Sequence, residues 1–283
     1  MGANMERKEI STAAPEFSYF EIQAFWGVTK HMGGPEATDE LAALCHVDQD
    51  KYVLEVGCGV GITACHLVKR YGCRVIGVDL SDKMVAWSTK RAQRRSIEHK
   101  CEFRTADAQN LPFEAGLFDA VICESVTAFP QDQQRAVSEY VRVTKPGGYV
   151  GLNEGTWLKA PPAELVRYVG RVMAQARFLT PNGWQALLES AGMTDVVVST
   201  HRLNALTQRL DEMQGLDFQD LLDRLRAWKS FVGLYAGNAG FRKYAKEITP
   251  SPGTIKSLFA HLGYGIYVGR KQANPGELST ALC

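Results

Sequence analysis

Three glycines, Gly57, Gly59 and Gly61, stand two residues apart where an apolar run ends, in Val53-Leu54-Glu55-Val56-Gly57-Cys58-Gly59-Val60-Gly61. Without a Cβ, the chain there can turn tightly and press its amides against a ligand. A helix entered just beyond the loop adds unpaired N–H groups at its start. Alone, such a loop serves more than one adenosine cofactor. Asp79 ends the next apolar run, 18 residues past Gly61. An acid at that strand tip can accept hydrogen bonds from both ribose hydroxyls, which supports adenosine without choosing the cofactor. Asp107, in Thr105-Ala106-Asp107-Ala108-Gln109-Asn110-Leu111-Pro112-Phe113, can accept from an exocyclic adenine amine. His31 carries an imidazole able to act as a general base, although a lone histidine is more often structural or solvent-facing.

The elements that must hold these residues follow a regular order. Strands are expected at Tyr52–Val56, Arg74–Asp79, Cys101–Thr105, Phe118–Cys123, Tyr149–Asn153 and Asp195–Thr200. Helices are expected at Glu36–Cys45, Thr63–Tyr71, Gln131–Val143 and Pro181–Ala191, with another opened by Ser81 or Asp82 as N-cap. This alternation predicts an α/β fold with a doubly wound, mainly parallel sheet. Tyr264–Val268 reads as a last strand, antiparallel to its neighbour. Residues 201–258 break the alternation with a helical piece, Phe218–Val232, and a glycine-rich aromatic stretch around Gly233, Tyr235, Gly237, Gly240, Phe241 and Tyr244. The chain divides into a tail (1–15), an N-terminal lid (16–48), a core (49–200), a helical insertion or substrate cap (201–258), the last core strand (259–271) and a second tail (272–283).

Composition narrows the partners. The 283 residues carry a net charge of +1, with 45% hydrophobic and 22% charged residues, as in an ordinary globular enzyme. No basic stripe marks a nucleic-acid partner, and no apolar run reaches the ~18 residues of a membrane span. The first residues lack the apolar core of a secretory signal. Seven cysteines, an odd number with no CxxC spacing, suit free thiols in a reducing cytoplasm and no metal site.

Further phrases stand in order along the chain: Phe118-Asp119-Ala120-Val121 after the Asp107 segment, then Arg142-Val143-Thr144-Lys145-Pro146-Gly147-Gly148. Together, LEVGCGVG, VIGVDLS, ADAQNLPF, FDAVICES and KPGGYV make residues 50–154 resemble class I S-adenosylmethionine-dependent methyltransferases. The resemblance is to the small-molecule group that includes quinone and phosphoethanolamine methylating enzymes. It implies a seven-stranded Rossmann-like sheet, S-adenosyl-L-methionine as donor and S-adenosyl-L-homocysteine as product. It also implies roles for residues. Glu55, Gly57, Cys58 and Gly59 would line the amino-acid end of the cofactor, and Asp79 would hold the ribose. Leu80 and Met84 would pack near the adenine, and Asp107 and Ala108 would meet its edge. Glu124 would sit near the sulfonium, as a cofactor-binding and catalytic candidate beside His31. The segment holding Tyr19, Phe20, Phe25, Trp26, His31 and Met32 before Gly33-Gly34 resembles a lid over the donor, with Tyr19 among the cofactor contacts.

Methyl transfer from a sulfonium is an in-line displacement, for which positioning alone can lower the barrier by roughly 7–11 kcal/mol. A base is needed only where the acceptor carries a proton. Trp157, Arg167, Tyr168, Arg171, Arg177, Trp228 and Arg242 would suit a flat or anionic acceptor if they formed a cap; alternatively they face water. A homodimer contact through 201–258 stays open. Two other functions are weighed: a nicotinamide-dependent oxidoreductase, disfavoured by Ile62 where GxGxxG needs its third glycine, and a non-catalytic S-adenosylmethionine-binding protein. Arsenic chemistry is set aside because no convergence of Cys58, Cys65, Cys101 and Cys123 is expected.

Overall fold

The computed structural model describes residues 18–27, 31–203 and 218–273. The tail expected at 1–15, and all but two residues of that expected at 272–283, lie outside them. Seven strands, β1 (Tyr52–Val56), β2 (Arg74–Asp79), β3 (Cys101–Thr105), β4 (Phe118–Glu124), β5 (Thr144–Trp157), β6 (Met193–Arg202) and β7 (Leu262–Lys271), form one sheet. Their order is β3-β2-β1-β4-β5-β7-β6. The first five pair in parallel, and β7 runs antiparallel between β5 and β6.

The central strands are buried on both faces, which is why they read as unbroken apolar runs. Side chains alternate across a strand, so β1 sends Leu54 and Val56 into one core layer and Val53 into the other. Likewise, β4 divides Val121 and Cys123 from Ala120 and Ile122. Helices α2 (Gly34–Leu44), α3 (Ile62–Tyr71) and α4 (Asp82–Arg94) cover one face. Helices α5 (Gln133–Val143) and α7 (Pro181–Ser190) cover the other. The N-terminal helix α1 (Tyr19–Trp26) and α6 (Ala163–Val172) lie outside these layers.

Three expectations change. The Lys145–Gly148 turn is absorbed as an irregularity at the start of a longer β5, where Gly147 takes φ +76° and the β4 register shifts between Phe118 and Ala120. Nine β5 residues then pair with β7, which extends the strand to Trp157. The glycine-rich stretch at 233–244 is helical: α8 (Phe218–Gly237) runs into α9 (Ala239–Ile248), capped by the Asn238 side chain. Phe241, 1% exposed, packs against Phe231 with ring centroids 5.3 Å apart. That packing outweighs the ~1 kcal/mol each glycine costs in a helix. A further helix, α10 (Pro252–His261), precedes β7, so the last core strand starts at Leu262 rather than 259.

Arg91 and Asp220 tie this insertion to the core. Arg91 Nη1 lies 2.6 Å from Asp220 Oδ2, with side chains only 7% and 3% exposed. Arg94 and Arg95 also reach the carboxylate, at 3.1 and 3.2 Å.

Candidate active site

The ends of β1, β2 and β4 open into a single cavity of about 560 Å³, within the ~300–1,000 Å³ typical of small-molecule sites. It sits outside the carboxyl ends of parallel strands, the usual place for a ligand in such sheets. Its floor is the glycine loop. Gly57, Gly59 and Gly61 have φ of +74°, +52° and +74°. A Cβ on Gly57 would lie 2.2 Å from Val126 Cγ2, so this position also needs glycine for the close approach of the loop after β4. The loop is pinned to β2, since Gly57 and Cys58 N–H groups donate to the Val78 carbonyl at 2.7 and 2.9 Å.

Asp79 closes the corner. Its Oδ2 accepts from the Gly59 N–H and its Oδ1 from the Ser81 N–H, both at 2.9 Å. Each oxygen keeps lone-pair capacity for a further donor. Burial pushes the Asp79 carboxyl up, opposed by those N–H groups. Glu55 faces the cavity from β1. Burial first, and then the Glu124 carboxylate, hold it well above the usual carboxylate range. Its Oε2 is buried and has no protein donor, an arrangement that costs stability unless a ligand supplies one.

Glu124, 8% exposed, ends β4 inside a ring of donors. Thr63 Oγ1 donates at 2.7 Å, Asn153 Nδ2 at 3.1 Å, and Thr38 Oγ1 lies 3.1 Å from both carboxylate oxygens. Thr38 Oγ1 is also 3.2 Å from His31 Nε2. Beyond Glu124, Ser125 is held in the left-handed region at φ +59°, a conformation that non-glycine residues rarely adopt. Its hydroxyl is buried without a partner.

Helix α1 roofs the cavity. Ser18 caps its start and left-handed Gly27 its end. Trp87 Nε1 donates to the Ala24 carbonyl at 3.3 Å, docking the helix on α4. Tyr19 and Phe20 meet Phe129 of the β4–α5 loop, with centroids 5.8 and 5.0 Å apart. Burial raises the Tyr19 hydroxyl.

The twelve candidates for donor binding and catalysis line this one cavity: Tyr19, His31, Glu55, Gly57, Cys58, Gly59, Asp79, Leu80, Met84, Asp107, Ala108 and Glu124. Met84 is 5% exposed, whereas Leu80 is 75% exposed. Leu80 is therefore no core residue but an apolar side chain at the mouth. Asp107 is exposed, and its Oδ1 already accepts from the Gln109 N–H at 2.9 Å. Of the lid aromatics, Phe25 and Trp26 have side chains outside the described residues.

The arginine cap does not form at the cavity. Arg177 donates to the Pro130 and Gln131 carbonyls at 2.7 and 2.6 Å, bracing the β4–α5 loop. Arg242 binds the Tyr235 and Ala236 carbonyls at the end of α8. Arg167 and Arg171 are exposed on α6. Trp157 is 6% exposed and packs on Phe178. Cys65 and Cys101 are both buried in one core layer, whereas Cys123 belongs to the other.

Thr63, Phe129, Gln131 and Asn153 were not legible as site residues. Thr63, Phe129 and Gln131 line the cavity, and Asn153 reaches it through Glu124. Thr63 alone carried a signal, as a hydroxyl residue in the first turn after the glycines.

Comparison with known proteins adds to this geometry. Residues 54–152 match a family model described as a methyltransferase domain. A Haemophilus influenzae protein of unassigned function is 31% identical over 180 residues, covering 62% of this chain and 72% of that protein. Norajmaline N-methyltransferase of Rauvolfia serpentina is 33% identical over 131 residues, covering 43% of this chain. The match spans less than half, 45%, of that enzyme's length. Among solved structures, a Thiobacillus denitrificans S-adenosylmethionine-dependent methyltransferase in complex with S-adenosyl-L-homocysteine superposes with a TM-score of 0.65. It is 17% identical, and the match covers 89% of this chain and 98% of that one, a likeness of fold.

Proposed function

The chain belongs to the S-adenosylmethionine-dependent methyltransferases, and from that premise we propose that it transfers the donor's methyl group to a small-molecule acceptor held under α1. The observation that carries this reading is the set of three carboxylates, Glu55, Asp79 and Glu124, lining one cavity whose glycine floor leaves room for a ligand. A donor bearing an ammonium, a sulfonium and a ribose diol is complementary to that set. In this reading the unpartnered Glu55 Oε2 would take the ammonium, Asp79 the ribose hydroxyls, and Leu80 and Met84 the adenine faces, which their shared lining of the cavity supports. Asp107 and Ala108, which line the same cavity, would meet the adenine edge.

The bound donor supplies a methyl group already activated by sulfonium charge. The chain's own residues position and enclose. Tyr19, Phe20 and Phe129 close the roof and exclude water. Glu124, fixed by three donors, sets the electrostatics of the acceptor end. A small acceptor fits a chain with net charge +1, and no described helix is long and apolar enough to cross a membrane. Six free, buried cysteines among the described residues support a reducing, cytoplasmic setting.

The test is calorimetric titration with S-adenosylmethionine, S-adenosylhomocysteine and NADH. Both adenosyl ligands are expected to bind at micromolar concentration and NADH not at all. Asp79→Ala removes a charged acceptor of two hydrogen bonds, each worth ~1.5–3 kcal/mol, so affinity should fall by about 100-fold or more. Binding of NADH alone would refute the methyl-donor reading. A tight donor complex with no turnover over a broad acceptor panel would favour a non-catalytic binding protein.

A further inference from the structure

Resting on the methyltransferase reading, we infer that Glu124, Thr38 and His31 form a fixed relay that presents His31 Nδ1 as the proton acceptor for an O–H or N–H nucleophile. The relay follows from counting hydrogens. Thr38 has one hydroxyl hydrogen and three candidate takers: the Glu124 carboxylate, the Gly34 carbonyl and the His31 ring nitrogen. The intrahelical bond to Gly34 is long at 3.4 Å. The carboxylate lies at 3.1 Å from both oxygens and is the only charged acceptor of the three, so it takes the hydrogen.

Thr38 is 1% exposed, so no water stands in for a missing partner. With its hydrogen committed, its oxygen can only accept from His31 Nε2. Nε2 therefore carries the ring proton, and the neutral ring keeps its lone pair on Nδ1. His31 lines the same cavity as Glu124, Tyr19 and Phe129. Asn153 holds the arrangement from below, since its Nδ2 donates both to Glu124 and, at 2.8 Å, to the Met32 carbonyl next to His31.

In the transfer step, the acceptor's X–H bond breaks as the X–C bond forms. The C–S electron pair leaves with sulfur, which becomes a neutral thioether. The proton goes to His31 Nδ1, and the imidazolium charge is balanced through Thr38 by Glu124. His31 is the catalytic residue of this scheme, and Thr38 and Glu124 are positioning residues. The other titratable groups lining the same cavity are Tyr19 from α1, Glu55 from β1, Cys58 from the glycine loop, Asp79 from β2 and Asp107 from the loop after β3. None of them is bonded to the His31 ring among the contacts described.

The deciding experiment is nitrogen-15 NMR of the histidine rings in protein saturated with S-adenosylhomocysteine, at about pH 9, where an ordinary histidine is neutral. A ring N–H signal assigned to His31 Nε2, slow to exchange with water, is expected in wild type and in Thr38→Ser. Thr38→Val should lose that protection by 10-fold or more, because the acceptor is gone. A proton on Nδ1, an unprotected Nε2–H in wild type, or protection that survives Thr38→Val overturns the relay. Failure of wild type to bind S-adenosylhomocysteine would instead remove the methyltransferase reading beneath it.

Discussion

Gly57→Ala tests the geometry of the site without any acceptor. Two costs are separable. At φ +74° an alanine pays left-handed strain of ~1–2 kcal/mol. Its Cβ would also lie 2.2 Å from Val126 Cγ2, 2.8 Å from Cγ1 and 2.9 Å from Cβ. Valine is stiff at χ1, so relief requires the backbone after β4 to move, an overpacking cost of ~1–3 kcal/mol. The single substitution should therefore cost roughly 2–5 kcal/mol. Val126→Ala removes two methyl groups from a half-buried side chain and should cost about 1 kcal/mol. In the double variant the methyl clashes vanish, the contact with the residue 126 Cβ persists and the φ strain remains. The pair should thus be less destabilised than the two singles added, by roughly 1–2 kcal/mol. Urea unfolding of all four proteins measures this, with unchanged m-values as the check on a two-state comparison. Additive costs would show that Val126 does not press on Gly57. A cost below about 1 kcal/mol for Gly57→Ala would show that the loop lacks its left-handed turn.

Glu154, fully buried on β5, accepts from the Val126 and Thr127 N–H groups at 2.9 and 2.6 Å, while its other oxygen has no partner. Burial pushes it up from 4.5 to about 7. A carboxyl raised on folding contributes stability below pH ~4.5 that is lost as pH climbs through about 7. Thermal unfolding from pH 5 to 8 should show Glu154→Gln gaining on wild type by roughly 3 kcal/mol. An unchanged difference across that range would place the proton elsewhere. Asp220→Ala leaves Arg91 buried beside a lost partner. It should cost about 3–5 kcal/mol, with hydrogen exchange accelerating first in α8; uniform exchange across the chain would contradict local undocking. Trp87→Phe removes the bond to the Ala24 carbonyl that holds α1 down. It should cost about 1 kcal/mol and speed release of S-adenosylhomocysteine about 5-fold in stopped-flow measurements. An unaltered release rate would free α1 from any role as a roof.

The corner of the cavity made by the glycine loop and Asp79 was legible because local sequence dictates it. A strand, a turn of glycines and a helix start lie within a dozen residues at 52–63, and the acid closing the corner ends the very next strand. The lid's aromatics were legible as a group, but which of them touch the cavity was not. Tyr19 and Phe20 do so only because Trp87 and left-handed Gly27 fix the helix on α4. Between a cap and a water-facing role, the sequence left the arginines from 167 to 242 open, because a cation's role depends on which carbonyls lie within reach; Arg167 and Arg171 face water. Arg177 found the backbone carbonyls of Pro130 and Gln131, which line the cavity, so it braces the wall, and Arg242 found carbonyls at the end of α8.

The sequence by itself determined the strand order's alternating rhythm, the left-handed glycine turn and the acid at 79, since each rests on interactions between near neighbours and on backbone freedom. Only the tertiary structure decided what surrounds Glu124. Its donors come from Thr38, Thr63 and Asn153, separated from it by 86, 61 and 29 residues. No spacing along the chain encodes that meeting. It follows from β1, β4 and β5 lying side by side with α2 and α3 packed on one face, which brings two helix hydroxyls and one strand amide to the same carboxylate. The helical state of 233–244 was settled in the same way, by Phe231 and Phe241 packing together against the preference of the intervening glycines.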